Sequence, residues 1–149
     1  MKNIWFIGGS DPSCGAGIQA DLKVATTLGV RAQTLVTCIT SQNGSQFTDA
    51  VPVSSDMLIS QWRALETEFP PSVIKLGLIA DASQIRTLGQ LCSETESFII
   101  LDPILSSSTG KIFHSQEDIQ TLKEELLVWV DLLVPNIAEA NYLLGKNIR

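Results

Sequence analysis

Blocks of apolar residues alternate along this chain between the period of a strand and the period of a helix. Asn3 to Gly9 reads as a buried strand, and Ala16 to Leu28 as a helix with Ile18, Leu22 and Ala25 on one face and Gly29 as its stop. Thr34 to Ile39 predicts a second strand, followed by a polar loop from Thr40 to about Ser54. Ser55 to Phe69 is a helix, with Leu58, Trp62, Leu65 and Phe69 in register. Val73 to Leu78 is a third strand. Asp81 reads as an N-cap with Gln84 at the third helical position, opening a helix to about Cys92. Phe98 to Leu101 is a fourth strand, ending at Asp102-Pro103. Ser115 with Asp118 starts another helix through Ile119, Leu122 and Leu126. Asp131 to Val134 is a fifth strand, and Ile137 to Leu144 a short helix stopped by Gly145.

Five strands alternating with five helices predict an α/β fold with a mainly parallel sheet and helices on both faces. A strand such as Phe98-Ile99-Ile100-Leu101, with no polar position, suits burial on both sides. Ligands of such sheets bind beyond the carboxyl ends of the strands, so the loops that follow the strands are where chemistry is expected.

Composition narrows this picture. The chain has 149 residues, enough for one domain with a real core, and 44% of them are hydrophobic against 17% charged. A net charge of −6 and the lack of any basic cluster argue against nucleic acid or an anionic membrane as partner. No apolar run approaches the roughly 18 residues of a membrane span. Cys14, Cys38 and Cys92 are odd in number and lack metal-ligand spacing, which suggests free thiols in a reducing, cytoplasmic setting. His114 is alone and reads as solvated, while Trp5, Trp62 and Trp129 read as core or interface residues.

The stretch with most chemical character is Gly8-Gly9-Ser10-Asp11-Pro12-Ser13-Cys14-Gly15-Ala16-Gly17, between the first strand and the first helix. Glycines allow close approach of backbone to ligand, and a helix start offers unpaired N–H groups. Asp21, about one turn in, is placed either to bond a heterocycle or to sit in solvent. The glycine spacing is wrong for a dinucleotide fingerprint, and no Gly-Lys-Ser/Thr ending makes it a phosphate loop. The same duality holds elsewhere. Asn136 and Glu139 have capping-box spacing, Asp102-Pro103 suits a strand-ending turn, and Gln42-Asn43-Gly44 suits a tight turn.

GGSDPSCGAGIQADLK resembles the amino-terminal signature of the hydroxymethylpyrimidine/phosphomethylpyrimidine kinases of thiamine biosynthesis, in the ribokinase-like superfamily. Four more segments follow in the order of that family. They are Thr40-Ser41-Gln42-Asn43, Lys75-Leu76-Gly77-Leu78, Leu101-Asp102-Pro103-Ile104 and Pro135-Asn136-Ile137-Ala138-Glu139-Ala140. The resemblance implies a ribokinase-like three-layer α/β/α fold and ATP-dependent phosphorylation of a hydroxymethyl group on an aminopyrimidine. A pyridoxal or pyridoxine kinase of the same superfamily is the alternative acceptor class. By resemblance, Gly9, Asp21 and Gln42 hold the aminopyrimidine, and Leu78 and Ile104 pack on its ring. Asp102 matches a carboxylate near the phosphates and Mg²⁺, with Asn136 and Glu139 matching an Asn-x-x-Glu motif that organises Mg²⁺ and the nucleotide phosphates. Asp102 and Glu139 are thus the implied metal carboxylates.

The resemblance also carries departures. The loop after Asp102-Pro103 in the family has Lys-Ser-Gly-Asp, where this chain has Ser108-Thr109-Gly110-Lys111. The Gly-Thr-Gly-Asp motif, with its anion hole and catalytic aspartate, does not occur in these residues. Residues 1–149 are therefore expected to be the amino-terminal part of a single kinase domain, with no catalytic residue of their own. A non-catalytic truncated fragment or binding module is the third expectation. An exposed sheet edge would favour association into a homo-oligomer such as a dimer.

Overall fold

The computed structural model describes residues 2–106 and 113–146, so Ser108 to Lys111 lie outside the described residues. Six strands form one sheet. They are β1 (Asn3–Ser10), β2 (Arg31–Gln42), β3 (Phe47–Pro52), β4 (Pro71–Leu76), β5 (Phe98–Leu101) and β6 (Leu132–Leu133), in the spatial order β3-β2-β1-β4-β5-β6. Every pairing is parallel except β2 with β3. The helices are α1 (Gly17–Thr27), α2 (Ser55–Glu66), α3 (Ala82–Ser93), α4 (Gln116–Thr121) and α5 (Ile137–Leu144). Beyond α4 the chain winds into a π turn over Leu122–Leu126 and a 3₁₀ turn over Leu127–Trp129. The expected α/β class holds.

The third strand of this sheet is where the expectation fails. The segment from Thr40 to Ser54 is not a polar loop: β2 runs on to Gln42 and returns as β3, with Ile39 opposite Val51. Asn43 turns the hairpin, its Oδ1 accepting from the N–H groups of Ser45 and Gln46. No residue of β3 is buried, so the strand has no apolar face for a periodicity argument to detect.

Alternation along β1 sets the two layers of helices. Trp5 and Ile7 point to one face and are buried with Leu35, Ile74 and Leu76. There they join Leu58 and Trp62 of α2, Ile85 and Leu88 of α3, Ile119 of α4 and Leu126 in one core. Trp5 and Trp62 meet edge to face at 5.0 Å, and the buried Trp5 indole donates to the Phe69 carbonyl at 2.9 Å. Gly8 points the other way, towards Ile18 of α1. Thus α1 covers the opposite face, and the chain is a three-layer α/β/α arrangement.

Side-chain caps fix the helix starts. Ser54, Asp81, Ser115 and Asn136 each accept from the N–H three residues on. Gln84 does more than its predicted place in a cap. Buried at 1% exposure, its Nε2 donates to the carbonyls of Thr37 and Val53 while its Oε1 accepts from the Ala80 N–H. It therefore locks α3 to β2 and to the entry of α2 at the site end of the sheet.

His114 also departs from expectation, being buried rather than solvated. Its Nδ1 has no hydrogen-bond partner among the described residues. Burial pushes the imidazole below its ordinary value of 6.5, and the carboxylates of Asp118 and Asp81 only partly offset this. The unfolded chain then takes up the proton first. Stability from this group is present above pH 6.5 and lost as the pH falls from there towards the lowered folded-state value. Urea unfolding is expected to show stability falling between pH 7.5 and 5.5, by at most about 1.4 kcal/mol per pH unit, in the unaltered chain. The slope should vanish in His114→Phe, and an equal slope in that variant would exclude the histidine as its source.

Candidate active site

The chain leaves β1 towards β2 on one side, and re-enters at β4, which leads to β5 on the other. This reversal of strand order opens a crevice at the carboxyl ends of β1 and β4, where α/β sheets bind ligands. A cavity of about 340 Å³ occupies that place. A volume near the lower end of the roughly 300–1,000 Å³ typical of small-molecule sites suits a single heterocycle. Gly9, Asp21, Gln42, Leu78, Ile104 and Asp102 all line it. Six residues spread over more than eighty positions of the sequence are therefore gathered around one cavity.

The glycine-rich turn forms the near wall, and its conformation is set by Asp11. That carboxylate is buried and accepts from the backbone N–H groups of Ser13, Gly15 and Ala16 at 2.8–3.0 Å, and from the Ser13 hydroxyl. Burial alone would raise its pKa. The Ser13 hydroxyl and the N–H groups of Ser13, Ala16 and Gly15 outweigh burial and hold the carboxyl below its ordinary 3.8. The consequence for chemistry is direct. Three N–H donors that would cradle a phosphate in a nucleotide loop are turned inward onto a fixed negative charge. The turn lines the cavity with its N–H groups already engaged, so it is not an anion cradle.

Close packing explains two of the glycines. Gly17 has a φ of +61°, and a Cβ there would be driven into the Gly9 carbonyl oxygen. At Gly9 a Cβ would lie 3.1 Å from Cys38 Sγ and 3.2 Å from Leu78 Cδ2. The floor of the cavity is thus backbone, with Leu78 beside it. Cys14 also adopts a positive φ of 57°, a conformation that glycine reaches at the least cost. Cys38 and Cys92 are buried free thiols whose pKa values burial pushes up, to about 12 for Cys92, so neither is a nucleophile at neutral pH.

Three residues that the sequence did not single out as site residues complete the cavity. Lys75 of β4 bonds Asp21 Oδ1 at 2.7 Å and lies 3.6 Å from Asp102 Oδ2. Phe47 of β3 and Phe113 stack edge to face at 5.2 Å and both line the cavity. Phe47 was hidden because β3 was not foreseen. Lys75 lay in a recognised segment, but its partners are remote in sequence.

Asn136 and Glu139 are not part of this cavity. They form a reciprocal capping box on α5: the Asn136 N–H donates to Glu139 Oε2 at 2.8 Å and the Glu139 N–H to Asn136 Oδ1 at 2.9 Å. Glu139 lines a separate hollow of about 150 Å³ with Tyr142, and Ser106 borders both spaces. One Glu139 oxygen is therefore already engaged. Among the described residues no group of three or more His, Cys, Asp or Glu side chains is placed to hold a metal ion. The donors present do not make a metal centre by themselves.

A doubly wound sheet with a crevice at its strand-order reversal defines the α/β class of this chain. The model of the phosphomethylpyrimidine kinase family matches residues 11–149, and the chain belongs to that family. It is 31% identical over 144 residues to the hydroxymethylpyrimidine/phosphomethylpyrimidine kinase of Aquifex aeolicus, covering 96% of this chain and 56% of that protein. Among solved structures, the phosphomethylpyrimidine kinase of Clostridium difficile superposes with a TM-score of 0.91 at 27% identity, over 100% of this chain and 65% of that one. The pyridoxal kinase of Staphylococcus aureus in complex with pyridoxal superposes at 0.86 with 25% identity, over 100% and 56%. The same enzyme in complex with ADP gives 0.85 at 26% identity, over 100% and 54%. The chain spans about half the length of the curated relatives it matches.

Proposed function

We propose that this chain carries the acceptor half of a kinase that phosphorylates the hydroxymethyl group of 4-amino-5-hydroxymethyl-2-methylpyrimidine and of its monophosphate. The observation that carries the reading is the gathering of Gly9, Asp21, Gln42, Leu78 and Ile104 around one crevice at the strand-order reversal. The Asp21 carboxylate accepts from an exocyclic amine, the Gln42 amide offers both donor and acceptor, and Leu78 and Ile104 supply apolar faces for the ring. ATP is the phosphoryl donor, by analogy with the nucleotide complexes of the pyridoxal kinase. Asp102 and Glu139 are the carboxylates that would hold Mg²⁺ if it arrived with the nucleotide phosphates, where it would offset their negative charge; they line separate spaces and do not form a metal centre by themselves. In-line transfer then rests on holding the hydroxymethyl oxygen against the γ-phosphoryl group, which is positioning rather than covalent chemistry. The apolar pair Ile39 and Val51, exposed across β2 and β3, supports a homodimer, and the free thiols support a reducing compartment such as the cytoplasm.

Pyridoxal is the second reading, favoured by the superposition on a pyridoxal kinase with that ligand bound. Calorimetric titration of the chain with hydroxymethylpyrimidine and with pyridoxal separates the two. The pyrimidine is expected to bind more tightly, and Asp21→Asn to weaken it about 10–100-fold, the worth of one charge-assisted hydrogen bond. Tighter binding of pyridoxal would overturn the choice of acceptor.

A further inference from the structure

Lys75 is the only cation among the described residues that line the cavity. It stands on β4, with Phe6 of β1 and Ile100 of β5 as its register partners. Together with Ile4, Val73, Val134 and Asp102 these residues line a mainly apolar trough on the α1 face of the sheet, and Lys75 and Asp102 border both that trough and the cavity. An ion pair in such surroundings is weak evidence of a stabilising role. Partly exposed ion pairs contribute little, and hydrophobic replacement of an inward pair is often neutral or stabilising.

What the lysine does is geometric. Its Nζ reaches a carboxylate from α1 and another from the loop after β5, at 2.7 and 3.6 Å. Lys75 and Asp21 are each about one-quarter exposed. Asp21 Oδ1 is taken up by the lysine, and no described residue donates to Asp21 Oδ2. One oxygen is pinned by the lysine, and the residue itself lines the cavity.

We propose that Lys75 is a positioning residue of the acceptor site, which fixes the Asp21 carboxylate in a single rotamer so that its second oxygen meets the heterocycle. This rests on the acceptor-site reading of Asp21 given above. Lysine itself need not touch the ligand, and its loss should act through Asp21. Lys75→Met is expected to weaken hydroxymethylpyrimidine about tenfold in calorimetry while the melting temperature stays within about 3 °C. Lys75→Arg, which can still bridge both carboxylates, should restore most of the affinity. The double variant Lys75→Met with Asp21→Asn should bind no more weakly than Asp21→Asn alone, because the two changes remove one device. Side-chain χ1 couplings of Asp21, read by NMR without ligand, should report one rotamer in the unaltered chain and averaging in Lys75→Met.

Unchanged affinity in Lys75→Met, or losses that simply add in the double variant, would overturn the proposal. Should the chain bind only pyridoxal, the same variants are titrated with pyridoxal and read in the same way. Should it bind neither, the substrate reading falls, and the Asp21 couplings decide the pair alone: averaging in Lys75→Met upholds it and unchanged couplings overturn it.

Discussion

Gly17→Ala is expected to cost about 3–4 kcal/mol and to abolish the heterocycle binding proposed above in the same step. Two effects combine at this residue. Its φ of +61° is a left-handed conformation that an L side chain occupies at a cost of about 1–2 kcal/mol. The new methyl group would also collide with the Gly9 carbonyl oxygen, with the Gly9 carbonyl carbon and the Asp11 nitrogen each only 3.3 Å away. All of these are backbone atoms, so no flexible side chain can give way. Either α1 moves off the end of β1, or the turn opens. Both displace Gly9 and Asp21, which stand on opposite sides of the collision. Cys14 provides an internal contrast. It has nearly the same φ, yet its side chain is only half-buried and reaches no closer to the Pro12 carbonyl than 3.9 Å. Conformation alone is tolerable in this turn; conformation with a clash is not. A drop of about 10 °C in melting temperature, measured by calorimetry, is the expected signal. A variant that melts within about 3 °C of the unaltered chain would show that the β1–α1 junction is more loosely packed than described.

The same turn separates what a sequence can disclose from what only folding brings together. The buried strands and the capped helices were legible because their signals are local. Phe98–Leu101 is a strand with its foreseen bounds, and Asp81, Ser115 and Asn136 cap the helices they were expected to cap. The residues that line the cavity were legible through an ordered set of motifs. Three failures share one cause. Strand β3 exposes both faces, so its pairing with β2, not its own pattern, makes it a strand. Lys75 meets Asp21 across 54 residues, and nothing near either residue announces the other. His114 is polar and isolated in sequence, yet Tyr142 of α5 donates to its carbonyl and the chain closes over its ring. For Asn136 and Glu139 two readings shared one spacing. The described geometry realises the helix cap, and any further duty of Glu139 falls to its remaining oxygen.

Asp11→Ala should destabilise the chain by about 2–3 kcal/mol at pH 7, because three backbone donors and a hydroxyl lose one shared charged acceptor. Water can reach part of the turn, which keeps the loss below the cost of fully orphaned groups. The effect on ligand should be larger than the effect on stability suggests. Asp11 holds the turn closed from within, and the Asp11 N–H in turn donates to Gln19 of α1, whose Nε2 donates to Ser10 at the end of β1. Without the carboxylate, the N–H groups of Ser13, Gly15 and Ala16 are released to seek another anion. A variant that loses hydroxymethylpyrimidine while gaining measurable affinity for inorganic phosphate would be the sharpest expression of this. The acid limb gives an independent check. A carboxyl held below 3.8 in the folded chain contributes stability that is present above that pH and is lost as the pH falls through the folded-state value. The unaltered chain should therefore lose stability on acidification below about pH 4 more steeply than Asp11→Ala does. The remaining slope in the variant belongs to groups such as Asp118. Its carboxyl is held low by the Ser115 N–H and hydroxyl despite the opposing effect of burial. Equal acid limbs in the two proteins, read by urea unfolding from pH 7 downwards, would mean that the Asp11 carboxylate does not hold the turn.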